Sequence, residues 1–131
     1  MLPADHRLAD PTSFRRAARL GHKAGSRLLV THLLPAADGD DAAGAGGADS
    51  EQAKVGFVVS KAVGTAVRRN RVKRRLRHAM RERMALLPAA SVLVVRAHAA
   101  AAAAPYAELV AELDRCLRRS LEAVPDARVS R

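Results

Sequence analysis

Between Arg68 and Arg83, nine of sixteen residues are Lys or Arg and a single one, Glu82, is acidic. A segment this charged joins a folded domain only if its few apolar residues fall on one line. At about 100° per residue, Val72, Ala79, Met80 and Leu87 all lie within about 60° of Leu76. The segment is therefore predicted to be a helix, capped by the Thr65 hydroxyl and running to about Leu87, where Pro88 stops it. Asn70, Arg71, Arg74, Arg77, His78 and Arg81 fill the opposite arc, with Lys73 at its border. Solvated faces normally mix signs at i, i+4 spacing, which offsets repulsion. Almost no acid is supplied here, so the face points to a polyanionic partner.

The partner's class follows from the side chains. Arginine outnumbers lysine, and its planar fork binds phosphate bidentately and stacks on bases. Asn70 adds a donor and an acceptor able to read a sugar hydroxyl or a base edge. The net charge of +10 and the pI near 11.3 agree. An anionic membrane is the rival, but a lipid-binding helix carries bulky apolar residues, whereas this one offers Val, Ala, Met and one central Leu. A helix making about 6–10 phosphate contacts loses about 10³–10⁵ in affinity between 50 and 200 mM salt.

The rest of the chain reads as one domain over residues 1–131, with room for a modest core. Aromatic residues are scarce, only Phe14, Phe57 and Tyr106, so that core is aliphatic. A short helix is predicted after Asp10, with Pro11 in its first position and Gly21 at its exit. Arg27–Leu34 and Lys54–Lys61 read as strands. The stretch 35–53 between them, with five acids and no base, reads as a flexible loop joining hairpin strands. Along the second strand Val55, Phe57 and Val59 share one face, and Gly56, Val58 and Ser60 the other. Ser91–Arg96 is a third strand, apolar enough to be buried on both sides. A last helix follows Pro105, with Leu109, Leu113, Cys116, Leu117 and Leu121 on one face; residues 123–131 read as a tail. The order helix, strand, strand, helix, strand, helix predicts an α+β two-layer sandwich with a small central sheet.

Other chemistry finds little support. Cys116 is the only cysteine and falls on an apolar helix face, so it is expected in the core. The histidines are scattered, without metal-ligand spacing. Neither Ser60 nor Ser91 has a His and an acid arranged near it, and no phosphate-loop pattern occurs. A protein-borne catalytic site is not expected. There is no signal-peptide pattern at Met1–Arg7 and no apolar run near the ~20 residues of a membrane span. Such a chain is expected in the cytoplasm, away from membranes.

The run Lys61-Ala62-Val63-Gly64-Thr65-Ala66-Val67-Arg68-Arg69-Asn70-Arg71-Val72-Lys73-Arg74-Arg75-Leu76-Arg77 strongly resembles the signature of the bacterial ribonuclease P protein family. That pattern is a strand ending in Ser-Lys, a Gly turn, and Ala-Val-x-Arg-Asn-Arg-x-Lys-Arg; weaker agreement extends over about residues 7–122. The resemblance implies the protein subunit of an endoribonuclease that removes the 5′ leader from precursor tRNA. The hydrolysis would belong to a catalytic RNA with bound Mg²⁺, and no further protein partner is required. Arg68, Arg69, Asn70, Arg71, Lys73, Arg74 and Arg77 would meet that RNA. A second surface, a cleft between the first helix and the sheet, would receive the leader at Phe14, Val30, His32, Val58, Ser60 and Lys61. The resemblance also implies a left-handed crossover around the arginine-rich helix, where general experience favours the right hand.

The family often has a second aromatic one turn after the first, where this chain has Ala18, and a strand tyrosine where it has His32. Stacking is worth about 1–3 kcal/mol per base, so leader binding would lean on charge and shape. Without the resemblance, Phe14 reads as core and His32 as a half-buried filler. Two other partners fit the basic helix: a ribosomal or other structural RNA, and a DNA major groove. The second wants a helix-turn-helix pair, and the strand just before Gly64 opposes it.

Overall fold

The computed structural model describes residues 11–35 and 53–123. Asp10, residues 36–52 of the loop predicted over 35–53, and residues 124–131 of the tail predicted over 123–131 lie outside the described residues. Helix α1 (Pro11–Leu20) leads into β1 (His22–Gly25) and β2 (Leu29–Leu34). After the omitted stretch come β3 (Lys54–Val59), α2 (Ala66–Arg81), β4 (Val92–Ala97) and α3 (Tyr106–Ala123), with 3₁₀ turns at Lys61–Val63, Met84–Leu86 and Ala99–Ala102. Among the described residues no helix is long and apolar enough to cross a membrane.

Pro11 opens α1 where its missing N–H has no helical partner to lose. Gly21 closes the helix, its N–H bonding the Ala17 carbonyl at 2.9 Å. A Cβ at Gly21 would sit 2.5 Å from that carbonyl oxygen, so only glycine lets the chain pass straight from α1 into β1. Strand β1 was not expected. It pairs antiparallel with β2, from His22 opposite Leu33 to Gly25 opposite Val30.

The four strands form one mixed sheet in the order β1-β2-β4-β3. Strands β2 and β3 are therefore not the expected hairpin: β4 lies between them, antiparallel to β2 and parallel to β3. The centre goes to the most apolar strand, whose Leu93, Val94 and Val95 are at most 1% exposed. Parallel neighbours need a crossover connection, and α2 supplies it.

Side-chain alternation divides the sheet. On one face Leu29, Leu33, Val55, Leu93 and Val95 pack against Val72, Leu76 and Met80 of α2 and Leu109, Leu113 and Leu117 of α3. Every residue expected on the buried side of α2 is buried, Leu87 included. Thr31, also facing α3, is satisfied by a 2.8 Å hydrogen bond with Ser120. On the other face α1 adds a partial third layer, setting Phe14 and Ala17 over Leu34, Val58, Val92 and Val94. Cys116 is fully buried, and burial pushes its thiol pKa up, away from the reactive thiolate.

Helix α2 ends at Arg81, earlier than expected. Arg83 supplies the reason. Its backbone N–H bonds Met80 rather than Ala79, while its Nη1 donates to the Ala79 carbonyl at 2.8 Å. The same guanidinium grips Asp114 of α3 at 2.5 and 3.2 Å, which raises the Arg83 pKa. The side chain replaces the helical amide and ties the helix end to α3.

Candidate nucleic-acid interface

The entrance to α2 is built on Gly64. Its φ of 142° and ψ of −156° belong to a region that is essentially glycine's alone. A Cβ there would lie 2.9 Å from Cδ of Arg68. The turn thus lets the Arg68 stem lie across it. The next residue fixes it, as Arg69 Nε donates to the Gly64 carbonyl at 3.3 Å. Thr65 caps the helix as expected, accepting from the Arg68 N–H at 3.3 Å.

The basic residues then divide by function. Three serve the fold: Arg69 holds the turn, Arg75 donates to the Ala104 carbonyl at 3.2 Å, and Arg83 holds α3. Among the described residues Arg68, Arg71, Lys73, Arg74, Arg77 and Arg81 form no ion pair with a carboxylate. Arg68, Asn70, Arg71, Arg74, His78 and Arg81 are exposed; Lys73 and Arg77 are half-buried at the margins. The helix thus presents a row of cations without a carboxylate partner among the described residues, with Asn70 among them. Arg69, expected as a direct contact, is half-buried and partly engaged by the turn. At the N-terminal end of the row Arg68 and Arg71 flank an open pocket of about 310 Å³ with Val63, Ala99, Ala102 and Ala103.

The second surface is the sheet face beneath α1. Phe14, Val30, His32 and Val58 lie on it together, as expected. Phe14 and Val58 are half-buried, while Val30 and His32 are 8% and 7% exposed. Ser60 and Lys61 lie just past the end of β3, both exposed, and the Ser60 hydroxyl accepts from the Ala62 N–H at 3.3 Å to cap the following turn.

Strand pairing adds two residues that the sequence did not reveal. Arg96 stands between Val30 and Val58 in register, and Lys23 stands opposite His32. Both are exposed. Arg96 was read only as the end of the third strand; the strand order shows which residues flank it. His32 Nδ1 is buried without a hydrogen-bond partner. Burial, then Arg96, then Lys23 hold the His32 pKa below its ordinary value, so the ring is neutral at neutral pH. The floor of this surface is thus apolar and neutral, with cations at its edges.

Nothing in either surface arranges a nucleophile with a base. Among the described residues no group of three or more His, Cys, Asp or Glu could hold a metal ion. Among the described residues the donor set does not form a site for a protein-held Mg²⁺.

The comparisons agree on one family. The Ribonuclease P family model matches residues 2–121. The ribonuclease P protein component of a Nocardioides species is 54% identical over 119 residues, covering 91% of this chain and 94% of that one. That of Streptomyces avermitilis is 50% identical over 121 residues, covering 92% and 96%. Among solved structures, the Staphylococcus aureus RNase P protein superposes with a TM-score of 0.70 at 22% identity, over 86% of this chain and 93% of that one. The Thermotoga maritima RNase P protein gives 0.66 at 20% identity, over 87% and 96%. At these identities the structures speak for the fold.

Proposed function

The chain belongs to the ribonuclease P protein family and is the RNA-binding protein subunit of ribonuclease P, the endoribonuclease of tRNA 5′ maturation; on that premise we propose that its two surfaces take two different RNAs. The cationic row of α2 docks on the ribonuclease P RNA, through Arg68, Asn70, Arg71, Lys73, Arg74 and Arg77, with Arg69 shaping the turn that aims them. The observation that carries this is the row itself: six cations, Arg68, Arg71, Lys73, Arg74, Arg77 and Arg81, without a carboxylate partner among the described residues. Phosphate oxygens supply the missing charge, and counterion release drives the association.

The precursor tRNA leader lies as a single strand on the sheet face beneath α1. Phe14, Val30, His32 and Val58 offer an apolar, neutral floor to bases. Lys23, Lys61 and Arg96 stand at the edges to meet phosphates, with Ser60 at the end of β3. With Ala18 and His32 where aromatic rings would stack, affinity there comes from shape and charge more than from stacking.

The hydrolysis is assigned to the RNA, which with the substrate would hold the Mg²⁺ of the reaction; a metal held there would supply an activated water and charge stabilisation for the leaving oxygen. The protein places cations against two strands that would otherwise repel each other. It thereby raises affinity for substrate and lowers the Mg²⁺ needed for assembly. The work is cytoplasmic and needs no other protein.

The test is reconstitution. Purified protein, ribonuclease P RNA and precursor tRNA are combined over a range of Mg²⁺ concentrations and 5′ cleavage is followed. The protein is expected to stimulate cleavage most at low Mg²⁺, and to cut nothing without the RNA. Absence of stimulation at every Mg²⁺ concentration refutes the proposal.

A further inference from the structure

Tyr106, the only tyrosine of the chain, opens α3 directly after Pro105. Its ring lies 6.0 Å, centroid to centroid, from the imidazole of His78 on α2, with the planes inclined by 51°. Both are exposed, Tyr106 at 37%. The rings are set on a rigid support, since Arg75 bonds the Ala104 carbonyl just before α3 and Arg83 grips Asp114 in its middle, pinning α2 to α3 on both sides of Tyr106.

Their position matters more than their contact. His78 stands one helical turn from Arg74 on one side and from Arg81 on the other, within the row that carries no carboxylate partner among the described residues. Tyr106 carries that surface sideways onto a second element. Cations alone hold phosphates and ignore what hangs from them. Flat rings beside a phosphate track suit an unpaired base, because every base has a π-face to stack. Double-stranded RNA hides its bases, so the site discriminates for a bulged or looped nucleotide.

We propose that His78 and Tyr106 form a stacking site for one unpaired nucleotide of the RNA subunit, whose flanking phosphates are held by Arg74 and Arg81. This rests on the reading that α2 docks on that RNA, and it extends the docking surface beyond the arginine motif, across the gap to α3.

The test compares Tyr106→Leu, Tyr106→Phe, His78→Leu and Arg74→Gln for affinity to ribonuclease P RNA as a function of salt. Tyr106→Leu is expected to weaken binding about 5- to 150-fold, the loss of one stacked base, with the salt dependence unchanged. His78→Leu follows in the same direction, while Tyr106→Phe binds as the parent does. Arg74→Gln lowers affinity and flattens the salt dependence. If Tyr106→Leu binds like the parent while Arg74→Gln is weakened, the stacking site is refuted and the docking reading stands; if the parent itself fails to bind, both fall. A fold-independent check uses the unmutated sequence grown with 3-fluorotyrosine, which gives a single ¹⁹F resonance from Tyr106. That resonance is expected to shift when RNA binds, and its failure to move overturns the inference whatever the variants do.

Discussion

The salt dependence of RNA binding can be worked from the side chains of α2. Arg68, Arg71, Lys73, Arg74, Arg77 and Arg81 have no carboxylate partner among the described residues. If each neutralises one phosphate, every contact contributes about −0.7 to −0.9 to the slope of log K against log salt, for a total of about −4.2 to −5.4. Raising monovalent salt from 50 to 200 mM then weakens binding about 300- to 2,000-fold. The sharper test lies in two neighbouring arginines. Arg74→Gln is expected to reduce the magnitude of the slope by about 0.7–0.9. Arg75→Gln is expected to leave it unchanged, because its guanidinium serves the Ala104 carbonyl; its cost of about 1 kcal/mol falls on the fold instead. Titration of fluorescent ribonuclease P RNA at constant low Mg²⁺ reads the slopes, and urea denaturation reads the stability. Equal slope changes in the two variants, or a parent slope near zero, would refute the division between docking and structural arginines.

Three further outcomes follow from particular residues. Gly64→Ala places a side chain at φ 142° beside Arg68, and should cost about 1–3 kcal/mol in urea denaturation while weakening RNA binding. His32 has a lowered pKa in the folded state, so the folded protein binds fewer protons than the unfolded one. Stability is therefore full above the ordinary histidine value and is lost as pH falls through it toward the lower folded value. Urea midpoints at pH 7.5 and 5 should differ less in His32→Gln than in the parent, and an equal difference would count against the assignment. Leu76→Ala, at a fully buried position under the cationic row, should cost about 2–5 kcal/mol, whereas Arg74→Gln should stay within about 0.5 kcal/mol of the parent.

The α2 face was legible because a helix writes its two sides into one contiguous stretch. Val72, Leu76, Ala79 and Met80 could be separated from Asn70, Arg71 and Arg74 by angle alone. Its C-terminal end was not legible, since it depends on Arg83 reaching both Ala79 and an aspartate 31 residues ahead. Strand β1, only His-Lys-Ala-Gly, has no apolar alternation to notice; it exists because β2 offers an edge. The central place of β4 is non-local in the same way, and it turned an expected hairpin into a mixed sheet. The cleft was half legible for that reason. Phe14, Val30, His32 and Val58 followed from the resemblance, but Arg96 and Lys23 join them only through register across four strands.

The central position of β4 also sets an order of events in time. During synthesis β1, β2, β3 and the whole arginine row emerge before the strand that joins the two halves of the sheet. At about 5–20 residues per second, the stretch from Lys54 to Val92 takes about 2 to 8 s to appear. Through that interval β3 has no neighbour and the facing edge of β2 is open. The nascent chain therefore carries the whole charge of the arginine row before it has the platform that aims it. Completing the sheet is a long-range event, and the arginine row gains its full support only once β4 pairs with both β2 and β3.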